Sequence, residues 1–433
     1  MGTAKEGKPS KIYYGWWVYV AVCICMLLPC CFTFNTASIY YDSVAAQFDV
    51  GKGQVGLYMT FVYATACVAN LLWAGKLLEK LDLRIILTTC VVLVGGALIS
   101  MSLAQSIYVF YGAGIALGIA NAWLLWLIVP VVVGRWFKKN IGFMIGIAMA
   151  MTSIGGTVFS PLLAQVIQGA GWRTGYLIEG IVALVVCLPL AIFVVRSRPS
   201  DMGLEPLGYD DPKVIAREAE AKAAGQDGIT LKQAFKKPTA FILCCVFAGL
   251  ANLGLTMNYF FPSFATSIGY DLTVGAMVAS CVMIASLVGK VVLGWLNDRS
   301  IVVSNLVGCV PMIFGLAFMM LFGQDSPLWL YLGGILFGLF FAVQPTNVPQ
   351  IVRAVFGNVS YDRIFSYVAV VMPLCAAVGS SFWGFIYDAT GSYNAAFIVD
   401  MVFAALAIVV LFAALAAGKK LKAWAKKEGA EQA

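Results

Sequence analysis

The chain has 433 residues, of which 61% are hydrophobic and only 11% are charged. Soluble domains carry about a quarter charged residues, so this composition excludes an ordinary water-soluble protein. Its apolar runs reach about 20 to 25 residues, which is enough to cross the hydrocarbon core of a bilayer. The composition therefore indicates a polytopic membrane protein that is surrounded by lipid.

Apolar windows predict an all-α protein with about twelve membrane-spanning helices. In chain order the predicted spans lie near 14–42, 54–75, 84–105, 107–134, 140–168, 174–195, 238–268, 274–296, 302–323, 328–352, 362–387 and 393–417. The one long hydrophilic stretch, 197–236, separates six spans from six. This pattern predicts an N-terminal six-helix bundle (1–196), a cytoplasmic linker (197–236), and a C-terminal bundle with a basic cytoplasmic tail (237–433).

The distribution of lysine and arginine predicts the orientation of these spans. If the N-terminus is cytoplasmic, nearly all basic residues fall on the inside, and only Lys52 and Arg173 fall outside. Cytoplasmic loops carry such an excess of positive charge, so both termini are expected inside the cell (inner) membrane. The net charge of +7 is then a sign of topology, and no nucleic-acid partner is expected.

Histidine is absent, and no Cys-x-x-Cys pair occurs among the twelve cysteines, which fall mainly in apolar runs. These features speak against a metal site and against most hydrolase triads. No phosphate-binding loop or paired acid and base is evident either. The chain is therefore not expected to be an enzyme or to bind a cofactor.

The two groups of six spans repeat short patterns. The loop after span 2 reads GKLLEK (75–80), and the loop after span 8 reads GWLNDR (294–299). The start of span 6, GWRTGYLIEG, aligns with that of span 12, SYNAAFIVDM, so that Glu179 matches Asp400. Parallel repeats of this kind are typical of transporters whose substrate binds between two bundles.

Further motifs add a family resemblance over nearly the whole chain. They are YYGWW in span 1, GRWFKKNIGFMIGIAMA entering span 5, GWRTGYL entering span 6, RPSDMGLEPLG after span 6, and RIFSYV with GFIYDATGSYNAAF around spans 11 and 12. With the repeated loops, they resemble the major facilitator superfamily, in particular its monocarboxylate transporter and oxalate:formate antiporter branch. The resemblance implies transport of small organic carboxylates by alternating access. It also places a substrate-binding cation in span 8, at the position of Lys290.

Lys290 is unusual on physical grounds as well. It precedes Asp298 by eight residues and so lies roughly 12 Å into the membrane, deeper than a lysine stem reaches. Its counterpart in the first half is Leu71, so the fold itself requires no cation there. Ser286 lies one turn earlier on the same helix face. Lys290 is predicted to bind the substrate carboxylate; the alternative is a buried structural charge.

Other polar and aromatic residues inside spans are candidates for the same site. The resemblance places Trp126 on the pocket wall, and Asn35 aligns with a lysine used by animal monocarboxylate carriers. The remaining candidates are polar groups within apolar helices, which either line a site or bond neighbouring helices. They are Ser286, Asn258, Tyr259, Gln344 and Asn347.

Acidic and basic residues at the cytoplasmic ends of the spans predict a gate. Opposite charges there could hold the inside closed by ion pairs, whereas ordinary positive-inside charge would explain the bases but not the acids. The predicted gating residues are Glu79, Arg84, Arg135, Asp298, Arg299, Arg353 and Arg363.

The coupling of transport stays open at this point. In proton-linked carriers an aspartate takes the proton one turn before the span-8 cation, and here that position is Ser286. Glu179 and Asp400 are the only other acids well inside spans, and structural, outer-gate and proton-linked roles all fit them. The predicted function is a secondary transporter, acting as a monomer, for a small monoanionic organic acid by anion exchange or proton symport. An exporter of amphipathic compounds and a transporter-derived sensor are the alternatives.

Overall fold

A computed structural model describes residues 13–80, 82–139, 141–208 and 228–431, and the side chains of 71–80, 126, 142, 362 and 427–431 lie outside that description. Within these ranges, ten helices are long and apolar enough to cross a membrane. Two more spans are Lys52–Lys80 and an interrupted helix that begins at Ile107 and ends at Trp136. The prediction of an all-α fold with twelve spans is therefore confirmed.

The first six spans are bounded as follows: span 1, Tyr14–Phe48; span 2, Lys52–Lys80; span 3, Leu83–Ser102; span 4, Ile107–Trp123 with Leu124–Ile128 and Val129–Trp136; span 5, Ile141–Ala170; span 6, Trp172–Val194. The last six are span 7, Thr239–Ser267; span 8, Leu272–Asn297; span 9, Ile301–Phe322; span 10, Pro327–Phe356; span 11, Tyr361–Thr390; span 12, Tyr393–Glu431. Span 12 runs past its predicted end because the basic tail is rich in Ala, Lys and Leu, which favour helix.

Polar side chains cap the starts of spans 3 and 9. The Asp82 carboxylate caps span 3 by accepting a hydrogen bond from the Arg84 backbone N–H at 2.9 Å. Ser300 caps span 9, the counterpart of span 3, by accepting from the Val303 N–H at 3.4 Å. Such side chains satisfy backbone donors that the helix itself leaves unpaired.

Spans 1 and 7 are interrupted at equivalent places. In span 1 a 3₁₀ segment, Ala37–Tyr40, precedes the helix Tyr41–Phe48. In span 7 a 3₁₀ segment, Thr256–Phe260, precedes the helix Phe261–Ser267. These matching breaks extend the sequence repeat to spans 1 and 7, and short 3₁₀ stretches within helices often mark hinges.

The two halves meet along two pairs of spans, 2 with 11 and 5 with 8. Glycines permit close approach there, since a Cβ added at Gly56 would lie 2.5 Å from the Ser380 carbonyl oxygen, and one at Gly384 would lie 2.6 Å from the Gly53 nitrogen. Tyr13 and the described parts of the linker, 197–208 and 228–236, lie at one end of the bundle, where the Tyr13 hydroxyl donates to the Glu205 carbonyl at 2.9 Å. We call this the linker end and the opposite end the distal end.

Candidate functional site

Lys290 lies at the boundary between the two halves. It sits on span 8, and its Nζ donates to Ser153 Oγ on span 5 at 3.2 Å. The lysine side chain is half-buried, and Ser153 is buried. A charged group at this depth is costly, and in transporters such groups usually face a bundle interior or cavity. The geometry therefore puts a cation where the two bundles meet.

A second predicted residue contacts the same part of span 5. Asn35 is buried on span 1, and its Nδ2 donates to the Thr152 carbonyl at 2.5 Å. Thr152 directly precedes Ser153, the partner of Lys290. A Cβ added at Gly156, one turn further along, would touch both Met283 and Asn35. Span 5 thus brings spans 1 and 8 together at mid-depth.

Aromatic side chains lie on the distal side of this region. Tyr259 on span 7 is buried, and its hydroxyl lies 2.8 Å from that of Tyr63 on span 2, across the boundary between the halves. The ring of Tyr63 packs against Phe34, and that of Tyr259 stacks on Tyr41. These side chains form a buried layer between mid-depth and the distal surface.

At the distal surface, polar contacts join the halves. The Asp42 carboxylate in the first half accepts from Ser263 Oγ at 2.6 Å and from the Thr266 hydroxyl, both in the second half. It also pairs with Lys52 Nζ at 2.8 Å. The Asp388 carboxylate of span 11 accepts from the backbone N–H groups that start span 2, at Lys52 (2.9 Å) and Gly53 (2.8 Å). We call these residues the distal lock.

The other predicted substrate residues have different surroundings. Asn347 Oδ1 accepts from Asn297 Nδ2 at 2.8 Å and from Ser304 Oγ at 3.2 Å, which ties span 10 to spans 8 and 9. This pattern favours helix packing over substrate contact. Asn258 Oδ1 and Ser286 Oγ are buried and have no hydrogen-bond partner among the described residues. Gln344 is half-buried, and the Trp126 side chain lies outside the described residues.

The predicted gating residues of the second half contact groups of that same half. The Arg299 guanidinium lies 3.7 Å from the centre of the Trp295 ring, and that of Arg353 lies 4.8 Å from the Tyr361 ring. Asp298 directly follows the last residue of span 8, and Arg363 is exposed near the start of span 11. Their role in a gate stays a prediction.

In the first half, Arg135 Nη1 donates to the Ser197 carbonyl at 3.3 Å, and Arg84 Nε is buried without a partner in the described part of the chain. Glu79 lies outside the described side chains. The gating prediction for these three residues likewise stays a prediction.

Asp82 links the loop between spans 2 and 3 to the start of the linker. Its carboxylate accepts from Ser197 Oγ at 2.6 Å. Partial burial raises the pKa of the Asp82 carboxyl, but the hydrogen bonds from Ser197 and the Arg84 backbone, with the charges of Arg84 and Arg196, lower that pKa by more. The net direction is a pKa below the ordinary aspartate value, so Asp82 is ionised at neutral pH.

The two acids inside the spans differ in their hydrogen bonding. Both side chains are fully buried. Glu179 Oε1 accepts from Thr36 Oγ1 on span 1 at 2.6 Å. Neither oxygen of Asp400 has a hydrogen-bond partner in the part of the chain that the structure describes.

The sequence does not single out Ser153, Asp42 or Asp388 as functional. A signal for the distal lock is present, because Lys52 is one of only two bases expected outside and two acids, at 42 and 49, shortly precede it. No comparable signal marks Ser153, which is one of many small residues in span 5. Its importance follows only from the docking of span 5 against span 8.

Comparison with known proteins agrees with this architecture. A sequence model of the Major Facilitator Superfamily matches residues 22–324 and 277–432. This chain belongs to the Major Facilitator Superfamily. The repeated loops GKLLEK and GWLNDR and the motifs around spans 1, 5, 6, 11 and 12 are the features by which its sequence resembled that superfamily.

Two relatives agree with the branch that the motifs predicted. Monocarboxylate transporter 12 of Rattus norvegicus is 27% identical over 287 residues, which cover 62% of this chain and 58% of the rat protein. Monocarboxylate transporter 12-B of Danio rerio is 23% identical over 422 residues, or 89% of this chain and 84% of that protein. The match to the rat protein thus spans less than two thirds of its length.

A solved structure confirms the fold. The crystal structure of a bacterial homologue of the human lysosomal transporter Spinster superposes with a TM-score of 0.65 at 16% sequence identity. The superposition covers 95% of this chain and 98% of that one. The solved structure thus supports the fold, and the sequence model supports the family.

Proposed function

We propose that this transporter moves a small monoanionic organic acid across the cell membrane by alternating access. Lys290 carries the proposal, because its ammonium group lies inside the membrane at the boundary between the halves. Alternating-access transporters bind substrate near the bilayer midplane between their two repeats. A single lysine there suits one carboxylate group. The linker end faces the cytoplasm in this proposal, in keeping with its excess of Lys and Arg.

The contacts around Lys290 support a reversible anion site. Ser153 Oγ accepts a hydrogen bond from Lys290, and no carboxylate pairs with this lysine among the described residues. A substrate carboxylate would supply the charge that Lys290 lacks, and its apolar body would meet groups such as Met283. Asn35 and Tyr259 lie on the same boundary and are the next candidates for substrate contact.

The halves, residues 1–196 and 237–433 joined by the linker 197–236, would rock about this site. The distal lock and the Tyr63–Tyr259 contact hold the distal end together in the present structure. In the opposite state these contacts would break, and the predicted gating residues at the linker end would approach one another. Anion exchange and proton symport are both compatible with this cycle.

The test is uptake by the purified protein in liposomes. The panel contains labelled acetate, L-lactate, pyruvate and benzoate, with oxalate and succinate as dicarboxylates, each with and without internal counter-substrate. We expect uptake of at least one monocarboxylate. Lys290→Gln should lower it by about 100-fold or more, because an anion buried without its cation loses about 3–5 kcal/mol.

Matched variants separate charge from general damage. Lys290→Arg should keep part of the uptake, because the positive charge stays at the site. Lys232→Gln removes an exposed lysine near the start of span 7 and should leave uptake unchanged. Normal uptake by Lys290→Gln, or uptake of dicarboxylates alone, would show that the proposal is wrong.

A further inference from the structure

The carboxyl group of Asp400 is buried in an apolar environment. Asp400 lies seven residues after the start of span 12 at Tyr393, which is about 10 Å along the helix. It is fully buried, and neither carboxyl oxygen has a partner in the described ranges. An ionised carboxylate that is buried and unpaired is strongly disfavoured, so this environment suits the neutral acid.

The space for this carboxyl group is formed by a glycine. A Cβ added at Gly254 on span 7 would lie 2.8 Å from Asp400 Oδ1 and 3.2 Å from the Phe340 ring of span 10. Any larger residue at this position would therefore press on the acid. Gly254 lies two residues before the 3₁₀ segment that interrupts span 7.

The repeat shows what the first half does with the equivalent acid. Aligning the helices that begin at Tyr41 and Phe261 pairs Thr36 with Thr256. Thr36 donates to Glu179, the counterpart of Asp400. Thr256 instead donates to the Leu253 carbonyl at 2.6 Å and accepts from Trp383 Nε1 at 3.0 Å. The donor that stabilises Glu179 therefore has other partners in the second half.

Among the described residues, no charged or titratable group on the helices packed against span 12 supplies the hydrogen bond that Asp400 lacks. Arg353 on span 10 stacks on Tyr361 of span 11, and Asp388 on span 11 caps span 2. No hydrogen bond or ion pair joins Asp400 to any of these groups in the described structure. The groups on spans 7, 9, 10 and 11 are Cys244, Cys245, Tyr259, Cys309, Tyr331, Arg353, Tyr361, Arg363, Tyr367, Cys375, Tyr387 and Asp388, with Asp362, whose side chain lies outside the described residues.

We propose that Asp400 is a proton-binding site whose occupancy changes during the transport cycle. Its carboxylate takes up one proton to become the carboxylic acid in this distal-closed conformation, and it releases that proton when span 7 moves. The proposal rests on the proposed function and selects proton coupling over exchange of anions alone. One proton would then accompany one monoanionic substrate.

Span 7 connects Asp400 to the distal lock. Span 7 carries Tyr259 within its 3₁₀ segment and Ser263 and Thr266 beyond it, and all three contact the first half. Opening the distal end must break these contacts and shift this part of span 7. Because Gly254 lies two residues before the 3₁₀ segment, such a shift would change the space around the Asp400 carboxyl and give it access to water.

The first test needs no substrate. Infrared difference spectra of the purified protein in lipid, between neutral and alkaline pH, report the carbonyl stretch of those carboxylic acids that stay protonated at neutral pH, where ordinary carboxyl groups are ionised. We expect such a band in the wild type, its loss in Asp400→Asn, and its retention in Glu179→Gln. A spectrum of Asp400→Asn identical to that of the wild type would overturn the proposal. If Asp400→Asn does not fold, Gly254→Ala replaces it: a shift of the band supports the assignment, and an unchanged band overturns it.

The second test uses liposomes and labelled L-lactate or pyruvate. In Asp400→Asn, exchange of external against internal anion should persist, whereas accumulation driven by an inward pH gradient should fall to the level without a gradient. Glu179→Gln should keep gradient-driven accumulation. Wild-type accumulation in Asp400→Asn would overturn the proton site. Absence of monocarboxylate transport in the wild type would instead contradict the proposed function, and the infrared result would still decide the proton site.

Discussion

The two halves share one architecture but place their buried polar groups differently. In the first half the buried acid has a donor, since Thr36 donates to Glu179 Oε1 at 2.6 Å, although Glu179 Oε2 has no partner among the described residues. In the second half, Lys290 donates across the boundary to Ser153, and Asp400 has no hydrogen-bond partner among the described residues. Groups that must bind and release a ligand cannot be fully satisfied by the protein. In the proposed function, the substrate cation and the proton-binding acid therefore both lie in the second half.

The largest expected difference concerns the two threonines that the repeat aligns. Thr36→Val removes the donor to the buried Glu179 and should destabilise the protein by about 1–3 kcal/mol, because a buried acceptor is left without its partner. Thr256→Val should cost less, because Trp383 Nε1 still lies 3.3 Å from the Leu253 carbonyl. Apparent melting temperatures of the two variants in one detergent measure the difference.

Glu179→Met provides the control for this pair, because it removes the acceptor at similar side-chain size. If the Thr36–Glu179 contact is responsible, Thr36→Val should lower the melting temperature less in the Glu179→Met background than in the wild type. Equal losses from Thr36→Val and Thr256→Val would contradict the proposed contrast between the halves.

A smaller difference is expected between the caps of spans 3 and 9. Asp82 caps span 3 with a charged side chain and also bonds Ser197, whereas Ser300 caps span 9 with one weaker contact. Asp82→Ala should cost about 1 kcal/mol, within the usual range for a lost cap, and Ser300→Ala less. Melting temperatures at neutral pH test this order.

The pH dependence gives an independent check on Asp82. Its pKa is lower in the folded protein than in the unfolded chain, so it stabilises the fold above the ordinary aspartate value, near pH 4, and this contribution is lost as pH falls through the folded pKa. The gap between wild type and Asp82→Ala should therefore narrow below about pH 4. A gap between wild type and Ser300→Ala should not depend on pH. A constant gap for Asp82→Ala would show that its charge contributes nothing.

Much of this architecture could be predicted from the sequence because length and hydropathy are local properties. Twelve apolar runs and the repeated loop motif were sufficient for the fold, and the depth of Lys290 within span 8 marked it as unusual. The partner of Lys290 could not be predicted, because it depends on how span 5 is rotated and docked against span 8. Ser153 differs from other small residues of span 5 only through that packing.

The distal lock was missed for the same reason. Asp42 and Lys52 belong to the first half, and their partners Ser263, Thr266 and Tyr387 belong to the second. In the sequence they are separated from those partners by more than two hundred residues. The sequence instead predicted a gate at the linker end, because the excess of Lys and Arg at that end can be read directly from the sequence.

The smallest expected effect comes from the ion pair of the distal lock. Lys52 pairs with a carboxylate, whereas Lys290 donates to the uncharged hydroxyl group of Ser153. Lys52 Nζ lies 2.8 Å from Asp42, and the two side chains keep 15% and 26% of their surface exposed. Water therefore screens this pair, and its coupling energy should be about 0.5–1 kcal/mol. A double-mutant cycle with Lys52→Gln and Asp42→Asn, read out as melting temperatures at low and high salt, measures this coupling.

Each residue of this pair has a further contact, so the two single substitutions should differ in their effects. Asp42 also binds two hydroxyl groups of span 7, so Asp42→Asn should destabilise more than Lys52→Gln. Lys52 also lies 4.6 Å from the centre of the Tyr387 ring, so part of its effect should persist in the Asp42→Asn background. Additive losses at both salt concentrations would mean that the pair itself contributes nothing. In that case the distal end would be held by the hydrogen bonds of Ser263 and Thr266 to Asp42 and by those of Asp388 to the start of span 2, without a contribution from the ion pair.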